Sequence, residues 1–450
     1  MNDVKAEQPT KPQSELGAWK FALRALGYRN YRLFFGGQSI SLIGTWMTRV
    51  ATSWLVYRLT GSAFLLGIVG FAGQIPTFVL GPFAGVWVDR WDRHRTLVVT
   101  QVLSMLQSFA LATLALAKVI TINEIIWLGV FQGLINAFDM PARQAFVVQM
   151  IENREDLGNA IALNSSMVNA ARLIGPSIAG VLIAAVGEGY CFLIDGISYI
   201  AVIISLLMMR IVPLELAVRR KAIWHELREG WQYAMGFGPI RAILLLLALV
   251  SLVGMPYTVL MPIFAGQVLH GGAHTLGFLM GASGVGALIG AAKLAARRSV
   301  LGLGKVVPLA AALFGGGLIG FSFSRALWLS LLLMLLTGGA MMQQMAASNT
   351  ILQTIVDEDK RGRVMSFYSM AFMGMAPFGS LLAGSLANRI GAPYTLTIGG
   401  ALCILAAAAF SSYLPKIREL IRPIYAEMGI LRELATGVQT ATALQTPPED

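Results

Sequence analysis

Apolar residues fill this chain in long blocks, each about one bilayer deep, with short polar gaps between them. A hydrocarbon core of about 30 Å needs roughly 20 apolar residues in a helix, and irregular backbone cannot face lipid. The blocks therefore predict twelve spanning helices, over residues 32–58, 63–88, 96–118, 122–142, 157–185, 189–210, 240–267, 275–296, 303–323, 327–352, 363–388 and 392–413. They form a bundle of six over 31–210 and another over 240–414. A polar tail, 1–30, precedes them and carries no apolar core of a cleaved leader. The longest gap, 211–239, contains "AIWHELREGWQYAMGF", with Trp224, Leu227, Trp231 and Met235 at helical spacing and charges between. That pattern predicts an amphipathic helix on the membrane surface. A similar stretch opens the final segment, 415–450, whose "TPPED" end reads as disordered.

Composition agrees: 56% of residues are apolar and only 13% charged, against about 25% charged in soluble domains. The formal charge of +11 does not imply nucleic acid, because the basic residues sit in the gaps and not on one face of a domain. Their distribution sets the topology. One side receives the tail, "DRWDRHR" at 89–95, the links 143–156 and 210–241, Arg297, Arg298, Lys305 and "DEDKRGR"; the other receives only Arg58, Lys118, Arg325 and Arg389. Cytoplasmic loops carry the Lys and Arg excess, so both termini are expected in the cytoplasm. Cys191 and Cys403 both lie inside apolar blocks, which excludes a disulfide framework. His270 and His274 in "HGGAH" are four apart, but the glycines break the helix a metal pair would need. No metal site or cofactor is expected, and no phosphate loop or catalytic motif is present.

The halves repeat. A shift of 204 residues carries Gly175, Gly180, Gly187 and Gly196 onto Gly379, Gly384, Gly391 and Gly400. One residue more carries Gly81, Gly85 and Gly133 onto Gly286, Gly290 and Gly338. Duplicated halves of this kind are the architecture of secondary transporters, with a site between the repeats near the midplane.

"GVWVDRWDRHR", starting at Gly85, resembles motif A of the major facilitator superfamily in the loop after the second helix. "TWMTRVATSWLVYRLTGSAFLLG" from Thr45, "DMPARQAF" from Asp139 and "ARLIGPSIAG" from Ala171 resemble its bacterial exporters of drugs and siderophores, the enterobactin-exporter type included. The resemblance runs from about Tyr28 to Pro415. It implies alternating access, an amphipathic substrate, exchange for protons, a monomer in the bacterial inner membrane, and a conformational latch. In that latch Asp89, within Gly85–Arg90, faces the start of the eleventh helix. Arg93 pairs with Asp139, and Arg143 completes the network. Gly175, Pro176 and Gly180 resemble the antiporter motif of the fifth helix. The sequence also departs from the pattern. "GALIGAAKLAARRSV" in the second half lacks the acid, and Gly129 stands where many proton antiporters carry arginine.

Charges inside spans cost roughly 2.5–3.5 kcal/mol each on insertion scales and need a partner or a function. At 1.5 Å per residue, Arg49, Arg172 and Asp195 reach one depth. They predict a buried cluster, either an ion pair locking helices or a site for an anionic group with Asp195 as counter-ion or proton carrier. Gln38, Trp46, Asn164, Tyr257, Gln343, Gln344 and Tyr368 are further candidates for the cavity. Met280, Met341, Met345, Met370 and Met373 suit an adaptable apolar surface. Gly281, Gly284, Gly286 and Gly290 are spaced for close helix contact. Two rival readings use the same spans: a lysophospholipid carrier of this fold, and a membrane receptor or scaffold that transports nothing.

Overall fold

The computed structural model describes residues 23–88, 90–211, 223–297 and 299–428, without the side chains of Pro82 and 223–227. Asp89, Arg298, most of the 1–30 tail and the 429–450 end therefore lie outside the described residues, as do the side chains of Trp224 and Leu227. The spans are α1 (Arg29–Thr60), α2 (Ala63–Val88), α3 (Arg93–Leu116), α4 (Ile122–Gln149), α5 (Leu157–Val186), α6 (Glu188–Leu207), α7 (Gly238–Val268), α8 (Ala273–Ala295), α9 (Leu303–Phe323), α10 (Leu327–Ile355), α11 (Glu358–Ile390) and α12 (Ala392–Glu427). Among the described residues, 11 helices are long and apolar enough to cross a bilayer. The remaining one, α1, has 32 residues but is diluted by Arg29, Arg32, Arg49 and Arg58.

Prolines shape two spans. In α7 the helix stops at Val253, resumes at Tyr257 after Pro256, and widens into a π turn at Phe264–Val268 just past Pro262. In α11 a π turn at Met370–Gly374 precedes Pro377. Proline lacks an N–H and its ring crowds the preceding turn, so each break falls where the ladder of hydrogen bonds is already interrupted. The last helix does not end near 413, where the apolar block ends. It runs through Pro415 and Pro423 to Glu427, because Ile417 and Ile421 keep a buried stripe along it.

Both halves use one packing scheme. In the first, α1 packs on α6, α2 on α4, and α3 on α4 and α6; in the second, α7 packs on α12, α8 on α10, and α9 on α10 and α12. The repeated glycines serve matching contacts. Gly175 sits against Ile43 and Trp46 of α1, and Gly379 against Leu252 and Pro256 of α7. Gly187 and Gly391 turn the chain into α6 and α12 with φ of 94° and 87°. Gly196 faces Phe109 of α3, and Gly400 faces Gly315 of α9.

The bundles meet along α5 with α8 and along α2 with α11. Each seam closes on a glycine pair. A Cβ on Gly180 would lie 2.8 Å from the Gly277 Cα, and one on Gly384 would lie 2.7 Å from the Gly67 Cα. Both pairs stand at the end of the bundle away from the described chain ends, the far side. Gly281 against Ser177 and Gly284 against Leu173 continue the first seam inward; Phe78 and Phe378, 5.4 Å apart, continue the second. Toward the chain ends, the terminus side, both seam helices expose hydroxyls: Ser165 and Ser166 on α5, Ser366 and Ser369 on α11. Ser166, Ser366 and Ser369 each donate to a carbonyl four residues back in their own helix, at 2.9, 3.0 and 3.1 Å.

The connecting helix Ile223–Gly236 docks on the start of α11: Arg363 reaches Glu229 at 2.8 Å, and Trp231 meets Phe367 edge-on at 5.7 Å. Trp231 is exposed, as a surface helix requires. At the other bundle the first described turn is tied down by Arg24 and Tyr28, both bonded to Asp156 at 2.5 and 2.7 Å.

Candidate functional site

The charged loop after α2 is partly a capping device. Asp92 starts α3 by accepting the Arg95 N–H at 3.1 Å, as an N-cap acid should. His94 meets the Leu206 carbonyl at 2.8 Å, and Arg90 is exposed. A side chain at Gly85 would meet open space. Asp139 is buried on α4. Its Oδ1 accepts from Thr100 at 2.8 Å and Gln101 at 2.7 Å, and its Oδ2 holds Arg143, one turn along the same helix. The expected ion pair between Arg93 and Asp139 is not made; Arg93 donates to the Ala145 carbonyl at 3.5 Å. An i,i+4 partner needs no second helix to hold it in place, so Arg143 takes the acid in this pose.

Asp195 occupies a sealed niche between α1, α3 and α6. It is 2% exposed, and its Oδ2 accepts from Thr48 Oγ1 and Ser108 Oγ, both at 2.9 Å. Its Oδ1 has no hydrogen-bond partner. The niche exists because α1 presents Gly44 there; a Cβ would sit 2.7 Å from Asp195 Oδ1. Among the described residues no cation is paired with Asp195.

Arg49 and Arg172 do not join Asp195. Both stand over Trp46, their guanidinium carbons 4.7 and 5.7 Å from its ring centroid. No ion pair links either arginine to Asp195 among the described residues. Depth and face separate here. Thr48 reaches Asp195, while Arg49, one residue on and about 100° round the helix, points elsewhere. At the far end of α1, Arg58 grips Glu188 of α6 with two bonds, 2.8 and 3.1 Å.

Other expected cavity residues scatter. Gln38 and Tyr257 are buried, and the Tyr257 hydroxyl pairs with Ser283 at 2.9 Å. Tyr368 donates to the Met345 carbonyl at 3.0 Å. Gln344 Nε2 and Asn164 Oδ1 are buried without partners, and Gln343 is half-buried beside the former. Met370 and Met373 are exposed in the π turn of α11. Thr48, Ser108, Thr100 and Gln101 were not foreseen. Their roles come from helices far apart in sequence, which no spacing rule reports.

Two six-helix bundles in one packing scheme, meeting along two seams that close on glycine pairs at one end, define a secondary membrane transporter. Residues 22–424 match the transmembrane secretion effector family of the major facilitator superfamily, and the chain belongs to it. It is a multi-pass membrane transporter of the drug and siderophore exporter branch, not an enzyme. A "Staphyloferrin A transporter" of Staphylococcus aureus is 28% identical over 381 residues, covering 83% of this chain and 94% of that protein. A "Multidrug efflux pump Tap" of Mycolicibacterium fortuitum is 27% identical over 390 residues, covering 84% and 93%. The fold matches the crystal structure of a bacterial homologue of the iron transporter ferroportin in an inward-facing state. The TM-score is 0.68 at 17% identity, covering 86% of this chain and 98% of that one.

Proposed function

We propose that this protein exports amphipathic small molecules across the bacterial inner membrane by alternating access, in exchange for protons. The observation that carries the reading is one-sided closure: glycine pairs close both seams on the far side, while Ser165, Ser166, Ser366 and Ser369 are exposed on the terminus-side turns of the seam helices; we read the space between those turns as the substrate cavity. The Lys and Arg asymmetry supports a cytoplasmic terminus side, and on this reading the substrate loads from the cytoplasm, as an exporter requires. Asp195 is the proton carrier: it is sealed, uncompensated by a cation, and held by two hydroxyls on neighbouring helices. The Asp139–Arg143 pair marks the inward-open pose. In the opposite pose Arg93 competes for that acid, and the loop that contains Asp89 closes on α11. Relatives named for siderophore and multidrug transport support the substrate type.

One observation favours the lipid-carrier reading. An apolar crevice of about 510 Å³ lies between α5, α8 and α10, lined by Leu173, Phe278, Val285, Trp328 and Leu332. Phe278, Val285, Trp328 and Leu332 are exposed, so it is an open groove on the outer, lipid-facing side of the bundle that an acyl chain fits along.

Reconstituted protein in liposomes tests both. Each unit of imposed pH gradient supplies about 1.4 kcal/mol per proton, enough for about tenfold accumulation in one-for-one exchange. The expected result is gradient-dependent accumulation of labelled drugs or siderophores. Indifference to the gradient would refute antiport. Transfer of lysophospholipid alone would select the carrier reading, and no movement of any probe would leave a receptor.

A further inference from the structure

Two cations share one indole in mid-span, and among the described residues no carboxylate pairs with either. Arg49 lies in the outer half of α1 and Arg172 near the middle of α5, with Trp46 beneath both. The nearby acid Asp195 is already held by Thr48, on another face of α1, and by Ser108 of α3. Arg49 is exposed although α5 and α6 pack against its helix. A guanidinium in hydrocarbon is costly, so in the exporter reading that exposure faces the cavity between the bundles. Arg172 stands at the edge of the other bundle: a Cβ on Gly284 of α8 would be 3.5 Å from the Arg172 carbonyl oxygen. The geometry is built in. Gly175 lets α5 close on α1, where a Cβ would lie 2.5 Å from the Trp46 Cβ, and so brings Arg172 to the ring.

We propose that Arg49 and Arg172 form a subsite for an oxyanion group, carboxylate or phosphate, on the transported molecule. Trp46 holds the two guanidinium groups and offers its ring to the apolar part of the same molecule. The inference rests on the exporter reading and narrows its substrate to amphipathic anions. Two like charges in a confined cavity repel each other until an anion arrives between them. Guanidinium groups bind carboxylate or phosphate through two parallel hydrogen bonds, and the contact strengthens as water is excluded. A purely structural pair of arginines would bind nothing and would be indifferent to the charge of the ligand.

The test is equilibrium binding to the purified full-length protein in nanodiscs. The probes are radiolabelled octylsuccinate, octylphosphate and the dimethyl ester of octylsuccinate. At least one anion is expected to bind about tenfold or more tightly than the ester. Arg49→Gln and Arg172→Gln should each weaken that anion about tenfold and change the ester far less. Arg49→Lys, which keeps the charge and loses the fork, should fall between. Whichever anion binds more tightly identifies the headgroup chemistry. An ester bound as tightly as both anions, or variants that weaken all three probes alike, would overturn the proposal. Should a Gln variant fail to fold, the comparison of anion with ester on the unaltered protein still decides. Export of the ester by the unaltered protein separates the two readings: if it persists while anion preference is absent, the exporter stands and the anion subsite falls.

Discussion

Gly180→Leu is expected to abolish export and leave a folded protein behind. At this position α5 lies so close to α8 that a Cβ would meet the Gly277 Cα at 2.8 Å and the Ala273 carbonyl at 2.9 Å. A leucine adds three more carbons and has nowhere to put them while the seam is shut. Overpacking of this kind costs about 1–3 kcal/mol, equivalent to a roughly 5–150-fold shift between two poses. The contacts that fold the first bundle are spared, because Gly175 against Trp46 and Ile43 lies on another turn of α5. The shift should favour the pose with the far side open. Loss of drug or siderophore accumulation in liposomes checks the first part. Labelling of a far-side cysteine by a membrane-impermeant maleimide checks the second. Unchanged accumulation would mean that the seam need not close during transport.

Asp195→Asn is expected to uncouple transport from the pH gradient. The amide oxygen can still accept from Thr48 and Ser108, so the niche keeps its shape, but the side chain can no longer take up a proton. Accumulation driven by a one-unit gradient should fall from about tenfold toward equality across the membrane. Exchange of substrate between the two sides should continue. A variant that still accumulates substrate tenfold would remove Asp195 from the coupling mechanism.

Much of this architecture was legible because lipid is a strict solvent. Span length, the Lys and Arg asymmetry and the glycine repeat each follow from one rule, and the repeat even named Gly180 and Gly384, one partner of each far-side pair. The other partners, Gly67 and Gly277, were not singled out as seam residues, because which helices meet across the bundles is a property of the assembled fold. Gly281 and Gly284 do line the seam with α5, whereas Gly286 and Gly290 pack on Leu335 and Gly339 of α10. Depth was readable for Arg49, Arg172 and Asp195 from rise per residue. Face was not, since a shift of one residue turns a side chain by about 100°. That is why Asp195 went to Thr48 and Ser108, and the arginines to Trp46. The latch partner of Asp139 was obscured for another reason: the same acid has a local partner, Arg143, and an alternative in Arg93, and sequence does not say which pose is occupied.

Rocking of one bundle against the other is the central claim, and distances across the α5–α8 seam test it most directly. Spin labels at Val186 and His270 report the far side; labels at Glu155 and Arg297 report the terminus side. Pulsed dipolar spectroscopy in liposomes, with substrate and a pH gradient, should show the far-side distance lengthening as the terminus-side distance shortens, with both poses populated. Two distances that stay fixed under every condition, or that lengthen together, would contradict the account.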